Sequence, residues 1–148
     1  DKDRTIDINY VMNHYGKHSN SQIHVNGALL DQSSKTFRGT IDFKKGAVGS
    51  IGHEEEYNLL FSPKIKNLTA PLILCAEEDV EGKHGANSGK IDENKLFYMM
   101  SRGLDELSAK KLMIEAAFRP AMEKIPFTDV QDQISEYVKE RLNNIESI

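Results

Sequence analysis

Apolar side chains fall on every second residue at Ile6, Ile8, Tyr10 and Met12, and again at Phe37, Ile41 and Phe43 with Gly39 between them. That period marks strands with one buried face. Shorter apolar runs at Gln22–Leu30, Asn58–Phe61 and Leu72–Ala76 continue the series. The centres, near Ile8, Val25, Ile41, Leu59 and Leu74, recur about every 16 residues, with Gly, Asn, Ser or Pro between them. Near residue 90 the period lengthens to that of helices. Asp92 is placed to cap a helix carrying Leu96, Phe97, Met99 and Met100, which Gly103 ends. Asp105 caps a second, carrying Leu107, Leu112, Ile114 and Phe118, and Pro120 is expected to bend or stop it. A third opens with the capping-box pattern Thr128-x-x-Gln131 and sets Val130, Ile134, Val138, Leu142 and Ile145 along one stripe.

Strands first and helices afterwards argue against a doubly wound α/β fold, in which they alternate. The expected division is a β part over residues 1–90 and a helical subdomain over 91–148. Two β architectures fit the pattern. One is an antiparallel sandwich, with Asn26-Gly27 as a hairpin turn between apolar runs. The other is a solenoid of stacked rungs, favoured by the regular spacing.

With 148 residues, 39% hydrophobic and 28% charged, the chain can build its own core. No apolar run approaches the roughly 20 residues of a spanning helix, and Asp1-Lys2-Asp3-Arg4 is not a signal peptide, so a soluble protein is expected. The missing initiator Met and the early first strand lead us to expect a piece of a longer chain. The single cysteine, Cys75, excludes an internal disulfide and makes a reducing cytoplasm the expected setting. A net charge of −4 and a pI near 5.7 provide no basic field for nucleic acid or an anionic membrane.

Several near-motifs fail on their chemistry. Gly85-Ala86-Asn87-Ser88-Gly89-Lys90 lacks the first Gly of a nucleotide-binding loop, where His84 stands, and Ile91 replaces the magnesium-binding hydroxyl. It reads as a turn leading to the Asp92 cap, and no nucleotide site is expected. His53-Glu54-Glu55-Glu56 begins like a zinc-protease helix but has Tyr57 where the second His belongs. His14, His18 and His24 are scattered, and no spacing requires them to meet on a metal. The clusters Glu54–Glu56 and Glu77–Asp79 could hold a hard cation or act as an acid pair, but read more simply as solvated faces. Cys75, in the run Leu72–Ala76 with acidic neighbours, reads as inert packing rather than a nucleophile. No catalytic order of Ser, His, Asp or Cys emerges.

The stretch Ala76-Glu77-Glu78-Asp79-Val80-Glu81-Gly82-Lys83-His84-Gly85-Ala86-Asn87-Ser88-Gly89-Lys90-Ile91-Asp92, followed by Leu96-Phe97-Tyr98-Met99-Met100-Ser101-Arg102-Gly103-Leu104, closely resembles the carboxy-terminal core of the SufB/SufD family. These are scaffold proteins of the SUF iron–sulfur cluster assembly machinery. Asn58-Leu59-Leu60-Phe61-Ser62 and Phe37-Arg38-Gly39-Thr40-Ile41 resemble two further family stretches. The resemblance implies mainly β structure with α, as the last turns of a right-handed parallel β-helix followed by a small helical subdomain. It also implies pairing with a paralogue through the β-helix ends and binding of the SufC ATPase to the helices, with no hydrolysis by this chain.

Within the family, His84-Gly85-Ala86 resembles SufD, where SufB has His-Glu-Ala; the region Pro63–Leu68 also lacks the cysteine that SufB carries on the preceding rung. By resemblance, His84 is a candidate ligand for iron or a cluster at the SufB–SufD interface, with none held by the isolated chain. Gly82 stands where some SufD members have a cysteine, so the partner must complete the coordination. Phe97, Arg102, Gly103 and Leu104 are candidate partner-binding residues, because Phe97, Met100, Leu104 and Leu107 recur at helical spacing; the simpler use of that stripe is packing against the β part. A homodimer of the isolated chain is a further expectation. The rival readings are a carbohydrate-active β-helix enzyme using Glu77, Glu78 or Asp79, for which the absence of Trp removes one sugar platform, and a purely structural interaction module.

Overall fold

The computed structural model describes residues 1–145, with six strands followed by three helices. They are β1 (Thr5–His14), β2 (Asn20–Leu29), β3 (Ser34–Phe43), β4 (Ser50–Leu60), β5 (Lys66–Cys75), β6 (Val80–Lys90), α1 (Glu93–Ser101), α2 (Glu106–Met122) and α3 (Thr128–Asn143). The strands alternate between two sheets, ordered β1-β3-β5 and β2-β4-β6, and every pairing is parallel.

The right-handed parallel β-helix implied by the resemblance is not indicated. There are two separate, open, three-stranded sheets, and the coarser expectation of mainly β with α holds. Backbone hydrogen bonding runs within each sheet, and short turns rather than a shared ladder connect one sheet to the other, so nothing closes them around an axis. The antiparallel sandwich is equally excluded. Asn26-Gly27 lies inside β2, where Asn26 Nδ2 donates to the Ala117 carbonyl at 2.7 Å and the Asn58 side chain occupies the space a Cβ on Gly27 would need.

The inner faces of the two sheets meet in a core of Ile23, Val25, Phe37, Ile41 and Phe43, with Ile8, Ile73 and Val80 packed against it. Phe37, Ile41 and Phe43 are fully buried. The five strand centres read from the sequence all fall in strands. The sixth strand, β6, occupies what reads as a turn, because its Gly, Asn, Ser and Lys residues show no apolar alternation. Parallel pairing with β4 fixes it instead.

Asp92 caps α1 by accepting from the amides of Asn94 and Lys95, and Gly103 follows at φ +98°, in the left-handed region that favours glycine. Asp105 caps α2 through the Ser108 amide. Pro120 does not stop α2, which runs on to Met122; the expected break moves past the proline by less than a turn of helix, since only two residues follow it in the helix. The capping box at Thr128 is not formed. Phe127 occupies the cap without a side-chain bond, and Gln131 Nε2 donates to the Ile125 carbonyl at 2.7 Å. Of the expected α3 stripe, Leu142 is buried, Val130 is exposed, and Ile145 lies beyond the helix. Helix α2 packs on β2, and Arg141 of α3 pairs with Asp1 at 3.1 Å.

Truncating Phe37 to Ala should cost about 3–5 kcal/mol of unfolding free energy in urea titrations, whereas Tyr15→Ala, at a largely exposed position, should stay within about 0.5 kcal/mol of the parent. Similar losses from both would contradict the core described.

Candidate functional site

Alternation along β4 turns Ser50, Gly52, Glu54, Glu56 and Asn58 inward, so this strand contributes carboxylates to the space between the sheets. Glu54, Glu56, Asn58 and the facing Lys35 of β3 are all buried. Lys35 Nζ donates to Glu56 Oε1 and, at 2.9 Å, to Asn58 Oδ1; Asn58 Nδ2 donates to Glu56 Oε1 at 2.7 Å. Asn67 of β5 and Ser88 of β6 extend the polar column toward the last strands, at 2.8 Å. Burial pushes the Glu56 carboxyl up, but hydrogen bonds from Lys35, Thr69 and Asn58 together with the Lys35 charge outweigh it, leaving the group below its ordinary range. The expectation that Glu54–Glu56 form a solvated face is therefore wrong for Glu54 and Glu56, and right for the exposed Glu55.

Glu54 differs from its neighbour. Its carboxylate lies against Gly39 of β3, in the place a Cβ there would occupy; its Oε2, like that of Glu56, has no hydrogen-bond partner. Burial pushes its pKa up, opposed by His84 and reinforced by Glu56. His84 is Glu54's register partner on β6. A Cβ on Gly82, two residues earlier, would touch Ile73 at 3.0 Å and Phe43 at 3.2 Å; Gly82 thus faces inward, and strand alternation gives His84 the same face. His84 stays exposed because β6 is the outermost strand of its sheet. The glycine-bracketed segment is thus strand, and it aligns His84 with a buried acid that the sequence reading assigned to solvent.

The other candidates do not converge. His14 is buried between Ser19 Oγ at 2.6 Å and Ser21 Oγ at 2.8 Å, and burial lowers its pKa. His24 contacts Glu55 at 3.2 Å and the Lys124 ammonium. His18 sits in a turn. Among the described residues no three His, Cys, Asp or Glu side chains form a metal-holding group, at His84 or elsewhere. Glu77 accepts from the Gly46 and Glu78 amides, both at 3.0 Å, and so serves the turn before β6. Cys75, expected as buried packing, is exposed at the end of β5, the last strand of its sheet.

On α1 the expected packing stripe faces outward. Phe97 is 72% exposed, Met100 and Leu104 are exposed too, and Leu96 provides the buried contact. Arg102 donates to the Tyr98 hydroxyl at 3.2 Å, with its guanidinium 5.3 Å from the ring centroid. Gly103 has a conformational role at the helix end. Phe97, Tyr98, Arg102 and Leu104 are thus all exposed around the end of α1, with apolar and cationic character.

Residues 1–117 match the family described as SUF system FeS cluster assembly, SufBD core domain. The chain is similar to the iron–sulfur cluster assembly protein SufD of Bacillus subtilis (strain 168), 30% identical over 129 residues, covering 87% of this chain and 30% of that protein. It is also similar to a SufBD family protein of Pyrococcus horikoshii, 33% identical over 125 residues (84% of this chain, 28% of that one). For SufD of Escherichia coli (strain K12) the figures are 27% over 114 residues, 77% of this chain and 27% of that one. The chain thus spans less than a third of the length of these relatives.

The two buried acids should give opposite pH signatures. Folding raises the Glu54 pKa, so this group costs nothing below the ordinary carboxylate range and subtracts stability as pH rises through its folded value. Folding lowers the Glu56 pKa, so its contribution is present above the ordinary range and is lost as pH falls through its folded value. Glu54→Gln should therefore raise Tm near neutral pH, the gain fading below roughly pH 4, while Glu56→Gln should lower Tm near neutral pH. Thermal melts across this range check both; a Glu54→Gln difference independent of pH would contradict the assignment.

Proposed function

The chain belongs to the SufBD family of SUF iron–sulfur cluster assembly proteins and is SufD-like, and from that premise we propose that it is a non-catalytic scaffold subunit, pairing with SufB and carrying the SufC ATPase while a cluster is assembled. The observation that carries this reading is the position of His84: an imidazole on the outermost strand of its sheet, on the inward face, and, among the described residues, in no group of three or more ligating side chains. A lone imidazole binds iron weakly until a second chain adds ligands. Iron or a cluster is then the cargo of the assembled complex, held where SufB meets this subunit.

Two features support the partner assignments. Strands β5 and β6 each have one unpaired backbone edge, and Leu68, Leu72 and Leu74 of β5 are exposed beside it. Such an edge takes another strand readily, from SufB in the complex or from a second copy when the chain is alone. On the helical subdomain, residues 91–148, of which 146–148 lie outside the described residues, the patch of Phe97, Arg102 and Leu104 offers aromatic and Arg anchors of the kind that dominate binding energy. Among the described residues no helix is long and apolar enough to cross a membrane, and the proposed setting is the cytoplasm, where Cys75 remains a thiol. For the carbohydrate-enzyme alternative, Glu77 is committed to its turn, accepting from the Gly46 and Glu78 amides. A structural module without a metal role is the second reading, favoured by the lack, among the described residues, of any group of three ligating side chains.

In complexes co-expressed with SufB and SufC and purified anaerobically, His84→Ala should leave subunit composition unchanged and lower bound iron and cluster absorbance about tenfold. Unchanged iron would favour the structural module. Phe97→Asp combined with Arg102→Glu should abolish SufC capture while leaving the far-ultraviolet circular dichroism intact, and retained capture would remove the α1 patch from the interface.

A further inference from the structure

Glu54 is 2% exposed, and its Oε2 meets no hydrogen-bond partner. A buried carboxylate in that state works against folding, and a non-polar residue of similar volume would serve the core better. Glu56, two residues on, also has a buried Oε2 without a partner, but its Oε1 is held by Lys35 and Asn58. Glu54 instead has space and a neighbour. Gly39 on the opposite wall leaves room for the carboxylate, and the residue in register on β6 is His84, on the same inward face. No direct hydrogen bond joins the two side chains among the described residues, and His84, on the outermost strand, is exposed.

We propose that Glu54 is a positioning residue for His84: its free carboxylate oxygen accepts the N–H of one imidazole nitrogen, which fixes the ring tautomer and directs the other nitrogen to the exposed end of the sheets. The use made of that nitrogen rests on the ligand role given to His84 above, whereas the positioning itself can be measured without iron. The physical basis is general. An imidazole that ligates a metal needs one nitrogen unprotonated, and a carboxylate on the other nitrogen selects that tautomer and raises ligand basicity. A partner seated over β5 and β6 would exclude water and strengthen the contact. Gly39 fits the same account, since any larger residue there would displace the carboxylate.

The test uses the iron-free full-length protein with 15N-labelled histidine. The parent should show one dominant His84 tautomer in its ring nitrogen shifts. Glu54→Leu, which fills similar space without an acceptor, should mix the tautomers, whereas Glu54→Gln, which keeps a carbonyl acceptor, should retain most of the preference. Should Glu54→Leu disturb the fold, Gly39→Ala crowds the same carboxylate from the opposite wall and should shift the tautomers likewise. Identical His84 shifts in the parent and these variants would overturn the proposal, whatever happens to iron. In the complex with SufB and SufC, bound iron should fall about tenfold with Glu54→Leu and less with Glu54→Gln. Altered tautomers with unchanged iron would uphold the positioning and remove the ligand role proposed for His84.

Discussion

Each strand forms its ladder with the strand two places further along the chain, and this parallel pairing sets everything else in place. Because the pairs stay in register over whole strands, a residue's inward or outward face is inherited by its partner: Met12, Ile41 and Ile73 stack in one column, Gly52 and Gly82 in another, Glu54 and His84 in a third. Side-chain alternation with a period of two turns that register into layers. The apolar layers form the core around Phe37 and Phe43, and the polar layer brings a charged network and an unpartnered acid to the side where β5 and β6 end the sheets.

The interior is thus asymmetric in chemistry. Beside the apolar core, which runs from Ile8 of β1 to Ile73 of β5 and Val80 of β6, it holds Lys35, Glu56, Asn58, Asn67 and Ser88 in a hydrogen-bonded column on β3 to β6. Buried ion pairs contribute little net stability compared with apolar packing, though breaking one leaves an expensive lone charge. A fold selected for stability alone would not place two carboxylates there. Their position, next to the outermost strands of a chain in a cluster-assembly family, agrees with an end shaped for contact with another subunit.

The helices close the opposite account. Asp92 and Asp105 supply caps, Ala109 and Ile114 bury the inner side of α2, and Arg141 ties α3 back to Asp1. Since α1 buries only Leu96, its aromatic residues remain outside. An element that contributes so little to the core yet carries Phe97, Tyr98 and Arg102 on its surface is suited to recognition rather than packing.

Much of this was legible from residue order alone. Period-two alternation located five strands, and the aspartate caps and Gly103 located the first two helices, because these signals act over a few residues and need no distant partner. The family, too, was readable from the residues around His84. Parallel pairing came from the resemblance and not from periodicity, and the two open sheets and the sixth strand came from neither. A strand made of Gly, Asn, Ser and Lys has no pattern of its own and exists through hydrogen bonds to β4. The same holds for Glu54: a run of three acids looks solvated in one dimension, and only the inter-strand register, with Gly39 opposite and His84 alongside, decides that the outer two of the three are buried.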